Sequence, residues 1–412
     1  MNRFEKFTTR IVQQVGKKEG PVSPVMVNSA SFGYGSSESG EGIFEGSVKK
    51  PLYARVGNPT SAQLEQILAS MDGGIGAVTT SSGMGAIAMA TLSLLKAGDE
   101  IVSIGGLFGG TYSYFSETLV RFGIRTHFFD VDQLSEIEES INTATKILFL
   151  ESVGNPNMRL PDMAKIADIA NRHGVALIVD NTITPLSVVP LSLGADIIVY
   201  STTKIITGNA SALGGAVIYR AIAEGEDKFK EDRYRDIHPF IQKMGSMALI
   251  AVAKKRALRD FGMSANGFGS YLTMLGLETL PLRMDRIVTT VETVAKELLE
   301  RGLNVNHPCL AHHSHHERYL KDFTNGCGTL FTIDMGSKER AFEFLNRSKL
   351  ITITANIGDS RTLGLHMAST IYRDFDDATK AFLGITPGLI RISTGLESAE
   401  AIIDDFANAA KI

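Results

Sequence analysis

From about residue 60 to 255, helix-like and strand-like patterns take turns along the chain. A helix-like stretch at 62–70 precedes a short apolar run at Ala77-Val78. Another at 85–95 precedes strand-like 100–104, and a third at 112–122 precedes strand-like 125–129. An apolar run at 147–150 and a helix-like stretch at 163–173 follow. Two more apolar runs come next, Val175-Ala176-Leu177-Ile178-Val179-Asp180 and Ile197-Ile198-Val199-Tyr200. Runs of this kind read as strands buried on both faces. Strands alternating with helices imply a mostly parallel sheet covered on both sides. Ligand sites in such sheets lie beyond the carboxyl ends of the strands.

Two chemistry-bearing residues fall there. Asp180 ends one apolar run, and Lys204 follows the next through Ser201-Thr202-Thr203. A strand-end Asp is often a turn residue and a Lys past a strand is often a solvated tip. Their surroundings favour a shared cleft. Ser201 and Thr203 alternate as phosphate-binding hydroxyls would, and 207–215 supplies small residues where a flat ring can approach the backbone. In a cleft, Asp180 and Lys204 suit the two ends of pyridoxal 5'-phosphate (PLP): a carboxylate for the ring nitrogen and an amine for the Schiff base.

The surrounding segments carry a resemblance. They are Tyr53-Ala-Arg55 with Asn58-Pro59-Thr60, Thr80-Ser-Ser-Gly83-Met84-Gly85, Leu107-Phe108-Gly109-Gly110-Thr111-Tyr112 and Glu151-Ser-Val-Gly-Asn155-Pro156. Val179-Asp180-Asn181-Thr182, Tyr200-Ser201-Thr-Thr203-Lys204 and Leu389-Ile-Arg391-Ile-Ser-Thr-Gly-Leu-Glu397 complete the ordered set. From about residue 20 onward the chain resembles the Cys/Met-metabolism family of PLP enzymes. That family includes cystathionine synthases and lyases, methionine γ-lyase and O-acetylhomoserine sulfhydrylase.

The resemblance implies the fold-type-I PLP-transferase architecture, α/β, with a mostly parallel central sheet and a smaller C-terminal α/β domain. It implies Lys204, Asp180 and Tyr53 as catalytic residues, the first two also holding the cofactor, with Tyr53 or Lys204 able to supply a leaving-group proton. Gly83 and Met84 amides, Ser201 and Thr203 would hold the phosphate, with Thr182 and Asn155 beside the cofactor and Phe108 stacked on its ring. Tyr53 and Arg55 would reach a neighbouring subunit's phosphate, making a homotetramer of two active-site dimers. Arg391, with Asn155 and Asn356, would take the α-carboxylate of an amino-acid substrate. Leu277–Met284 and 356–363 are similar to the sulfhydrylase branch. Phe108 stands where most relatives carry Tyr. It keeps the stacking surface and lacks a hydroxyl to protonate a leaving group, which leans towards acetate over thiolate. The expected reaction converts O-acetylhomoserine to homocysteine in methionine biosynthesis, with sulfide, a small thiol or a sulfur-carrier protein as donor. Methionine γ-lyase and cystathionine γ-synthase use the same residues. His366-Met-Ala-Ser-Thr-Ile-Tyr372-Arg departs from the family's usual loop.

The other readings are weaker. Gly83-Met-Gly85-Ala-Ile-Ala88 fits G-x-G-x-x-A, the fingerprint of a nucleotide-dependent oxidoreductase. That motif belongs in the first βα unit, with an acid at the next strand's end, and Asp99 and Glu100 precede the next strand instead. His312-His313-Ser314-His315-His316 is contiguous rather than spaced for ligation and reads as a solvated loop, so no metal is expected. Arg391, inside an apolar strand, is otherwise a structural ion pair. A net charge of −4 without a basic cluster gives no nucleic-acid partner. No apolar stretch is long enough to span a membrane, and the N-terminus lacks an apolar signal core. Two cysteines make no disulfide framework, so a cytoplasmic protein is expected. The expected organisation is a Gly/Ser/Glu-rich arm over 1–58, too polar for a core of its own and contacting a neighbouring subunit. A PLP-binding domain over 59–255 and a C-terminal domain over 256–412 follow it.

Overall fold

The computed structural model describes residues 4–16 and 19–412. Seven strands form the large sheet: β1 (Gly76–Thr80), β2 (Glu100–Ile104), β3 (Arg125–Phe129), β4 (Thr145–Glu151), β5 (Ala176–Asp180), β6 (Ile197–Tyr200) and β7 (Gly215–Tyr219). Their spatial order is β1-β7-β6-β5-β4-β2-β3. From β6 to β3 all neighbours pair in parallel, and β7 runs antiparallel to both β1 and β6. The central strands carry apolar runs because both faces are covered. Phe149, Ile178 and Val199 enter one apolar cluster; Leu148, Leu150, Val179 and Ile198 enter the other, the period of two expected of strands.

β7 lies outside the expected strands. Its entry is Gly214-Gly215, which reads as loop. The glycine is required because a Cβ on Gly215 would sit 2.3 Å from the Ser82 carbonyl oxygen. The stretch 112–122, expected as one helix, is broken into Gly109–Ser113, a wide turn at Tyr114–Thr118 and a tight turn at Leu119–Phe122.

A second sheet holds β8 (Val305–Asn306), β9 (Leu330–Asp334), β10 (Thr352–Ile353), β11 (Leu363–His366) and β12 (Leu389–Ser393). Its order is β10-β11-β12-β9-β8, antiparallel except for the β10–β11 pair. The helix Leu280–Glu300 lays Met284, Ile287, Val288, Val291 and Leu298 into a core continuous with one face of the large sheet. Arg391 sits in the middle of β12.

The N-terminal stretch is less uniform than its composition implies. Glu5–Val15 is a helix whose Phe7, Ile11 and Val15, with Phe4 just ahead, are buried on the same chain. It packs on the helices Pro59–Asp72 and Gly267–Glu278. Residues 20–57 stay largely exposed, with Val22 and Phe44 uncovered. Among the described residues, no helix is long and apolar enough to cross a membrane.

Candidate active site

The carboxyl ends of β4, β5 and β6 open into one cavity. Gly83, Met84, Phe108, Asn155, Asp180, Thr182, Ser201, Thr203, Lys204 and Arg391 all line it. Each arrives for a local reason. The helix Gly83–Leu92 begins at the cavity, with Ser82 as its cap accepting from the Gly85 N–H at 3.0 Å. The amides of Gly83 and Met84 precede the first intrahelical donors and point outward, which suits an anion. Gly83 must be glycine: a Cβ would stand 2.5 Å from Ser201 Cβ.

Asp180 ends β5. Its Oδ1 accepts the Thr182 N–H at 3.0 Å, and the Thr182 hydroxyl accepts the Ser201 N–H at 2.8 Å. Burial raises the Asp180 carboxyl to about 6. Lys204 follows β6, and its Nζ donates to Asn356 Oδ1 at 2.7 Å. Burial, and secondarily the Arg391 charge, lowers its ammonium to about 8. A lysine lowered this far is a competent nucleophile near neutral pH.

Arg391 is 2% exposed. Its Nη1 donates to Asn155 Oδ1 at 3.1 Å, and Nη2 lies 3.4 Å from the Ala355 carbonyl and 3.5 Å from that of Asn356. Burial lowers it to about 10, so it is charged at neutral pH. No carboxylate within 4.0 Å pairs with it among the described residues, which removes the structural ion-pair reading. A buried cation held only by neutral acceptors and facing a cavity is suited to an anionic ligand.

Tyr53, Arg55, Thr203 and Asn356 each make contacts of their own on this chain. Tyr53 and Arg55 do not line this chain's cavity. Tyr53 is 44% exposed, and Arg55 donates to the Arg259 carbonyl at 2.5 Å with its guanidinium over the Tyr53 ring. The Thr203 hydroxyl donates to the Gly214 carbonyl at 3.1 Å and accepts the Gly214 N–H at 3.0 Å, leaving no proton for a phosphate. Asn356 is placed as the partner of Lys204. The histidine run is only partly solvated: His312 and Ser314 are exposed, but His313 and His315 are buried, and His315 Nδ1 accepts the Leu160 N–H while Nε2 meets Asp132. Among the described residues no group of three or more His, Cys, Asp or Glu is arranged to hold a metal.

Sequence reasoning missed Glu151 as a site residue. It ends β4 beside Asp180, in register, and lines the cavity. Tyr372, in the departing loop, is buried and donates to the carbonyls of Asn155 at 3.0 Å and Leu107 at 3.3 Å. It braces the two loops that carry Asn155 and Phe108.

A family model described as Cys/Met metabolism PLP-dependent enzyme matches residues 8–411. The chain belongs to this family. Among its relatives, a homocysteine synthase of Schizosaccharomyces pombe is 36% identical, over 88% of this chain and 87% of the relative. An O-acetyl-L-homoserine sulfhydrylase of Thermus thermophilus is 34% identical, over 96% and 95%. An L-methionine gamma-lyase of Pseudomonas putida is 30% identical, over 100% and 98%. The crystal structure of a Campylobacter jejuni protein described as an O-acetylhomoserine (thiol)-lyase superposes with a TM-score of 0.92 at 30% identity. The match covers 98% of this chain and all of that one, which carries a pyridoxyl-lysine phosphate. As a Cys/Met-metabolism enzyme the protein uses PLP. The cavity fits that cofactor: amides at a helix start, a lysine with a lowered ammonium, and a buried carboxyl at a strand end.

Proposed function

We propose that the protein replaces the acetyl group of O-acetylhomoserine with sulfur, giving homocysteine and acetate. The observation that carries this reading is the cavity itself, where Lys204, Asp180 and the buried Arg391 converge. The sulfhydrylase and homocysteine-synthase relatives support the choice of substrate.

In this reading Lys204 would bond the cofactor, the Gly83 and Met84 amides and Ser201 would hold its phosphate, Asp180 would serve its nitrogen, and Phe108 would serve its ring. When bound, PLP supplies an electron sink for charge developing next to the substrate α-carbon. The remaining work falls to the chain. Arg391 takes the substrate carboxylate and fixes the α-carbon. Lys204 Nζ, its ammonium lowered by burial, would remove and return protons at the substrate carbons, steadied by Asn356. Asp180 keeps a negative charge beside the cofactor nitrogen. Phe108 offers no proton to the leaving group, which acetate tolerates far better than a thiolate. Acetate leaves from the γ-carbon, and the sulfur nucleophile forms the new C–S bond there.

Tyr53 and Arg55 belong, in the same reading, to the neighbouring subunit's site within a homotetramer of two active-site dimers. Their distance from this chain's own cavity and the exposure of residues 20–57 support that assignment. The test is the Lys204→Ala variant assayed with O-acetylhomoserine and sulfide. Loss of all homocysteine formation is expected; near-normal turnover would overturn the mechanism.

A further inference from the structure

Glu151 is a buried carboxyl with a defined job at each oxygen. Oε1 accepts the Phe108 N–H at 2.7 Å, and Oε2 accepts the Asn155 N–H at 3.2 Å. These donors belong to two separate loops, one after β2 and one after β4. Phe108 presents its ring to the cavity. Asn155, through its side-chain oxygen, holds Arg391 at 3.1 Å. One carboxyl therefore ties the ring-bearing loop to the loop that aims the buried arginine. No Lys, Arg or His lies within ion-pair distance of Glu151 among the described residues, so a salt bridge does not explain its burial.

We infer that Glu151 is a positioning residue that sets the Arg391 carboxylate clamp relative to the cofactor plane. Its reach is short: Glu151 to the Asn155 backbone, then the Asn155 side chain to Arg391. Burial, and then the neighbouring Asp180 charge, pushes the Glu151 carboxyl well above the usual range. The inference holds in either protonation state, because both oxygens keep a lone pair for an N–H. Glutamine cannot match this. Its amide has one acceptor oxygen, so one of the two N–H groups would face an NH2. Aspartate keeps both acceptors on a shorter stem.

This inference rests on the reading of Arg391 as the carboxylate site. The experiment keeps the two apart by titrating holoenzyme with alanine and with ethylamine, which differ by the carboxylate alone. The change in cofactor absorbance reports binding without turnover. Wild type should bind alanine more tightly than ethylamine; equal affinities would remove the Arg391 reading. Given that preference, Glu151→Gln should weaken alanine by about tenfold or more, as expected for losing a hydrogen bond that aims a charged group, and leave ethylamine nearly unchanged. Glu151→Asp should recover part of the loss. A Glu151→Gln holoenzyme that keeps the wild-type preference, or one in which both ligands weaken equally, would overturn the inference. Cofactor content and thermal midpoint, measured on the same samples, identify a variant that has failed to fold. In that case the Glu151→Asp titration decides, and an unchanged preference there also overturns it.

Discussion

Arg283 gives a sharp test of how the loop after Lys204 is held. This arginine, in the helix Leu280–Glu300, is buried and donates to three main-chain carbonyls: Ile205 at 2.5 Å, Gly276 at 2.7 Å and Ile206 at 3.0 Å. Its Nε also donates to the Thr279 hydroxyl at 3.2 Å. Burial lowers it to about 10, so it remains a cation at neutral pH. Replacing it with Met keeps much of the stem and removes both the charge and the donors. Each carbonyl hydrogen bond to a charged group contributes about 1.5–3 kcal/mol, against a desolvation cost of several kcal/mol for the cation. The two roughly offset. What remains is the Ile205 and Ile206 carbonyls without donors, at about 1 kcal/mol each, or about 2 kcal/mol in total, since the Gly276 carbonyl keeps the Thr279 N–H. Both directly follow Lys204, so the loss falls on the loop that places its amine. Arg283→Met should therefore lower kcat by about ten- to a hundredfold, the scale of a slight misplacement of a reacting group, while the protein stays folded. Steady-state kinetics and cofactor affinity would be measured together. Wild-type values for both would refute the idea that these carbonyl bonds position Lys204.

Three further outcomes follow from the site. Gly83→Ala should weaken PLP binding in an equilibrium titration of the apoprotein, because the added methyl collides with Ser201; an unchanged affinity would remove the phosphate role of this helix start. Cofactor capture by the apoprotein needs neutral Lys204, so its rate should rise with pH with a midpoint near 8 and level off above it; a midpoint in the ordinary lysine range would contradict the lowered ammonium. Asp72 is 2% exposed and raised by burial to about 7, with Oδ1 accepting from the Tyr200 hydroxyl at 3.0 Å. A carboxyl whose folded pKa is raised stabilises the fold below its unfolded pKa, and that contribution is lost as pH climbs through 7. The melting temperature of wild type should therefore fall more steeply from pH 6 to pH 8, values bracketing that pKa, than that of Asp72→Asn; parallel curves would contradict this.

The legible parts of the sequence were those where one physical cause dominates. β4, β5 and β6 are buried on both faces and announce themselves through the apolar runs 147–150, 175–179 and 197–200. β7 was hidden because its first residue is a glycine demanded by the close approach of Ser82. The helix Glu5–Val15 was hidden for the opposite reason. Phe4, Phe7, Ile11 and Val15 carry a clear helical spacing, yet the composition of 1–58 averages them with mostly polar residues.

At the site, Lys204, Asp180 and Arg391 were readable because charged residues at the ends or middle of buried strands need a reason to be there. Glu151 ends such a strand as well. What makes it distinctive is the N–H groups arriving from Phe108 and Asn155, and only the fold brings them together. The histidine run misled because contiguous polar residues read as surface, whereas His313 and His315 turn inward against the loop at Leu160.

The most direct test of the account is product analysis of the purified PLP-loaded protein given O-acetylhomoserine, with sulfide and without it. The account predicts homocysteine and acetate when sulfide is present, and no homocysteine without it. Absence of homocysteine with sulfide, together with release of ammonia and 2-oxobutyrate from methionine, would contradict the proposed replacement reaction and make the protein a lyase.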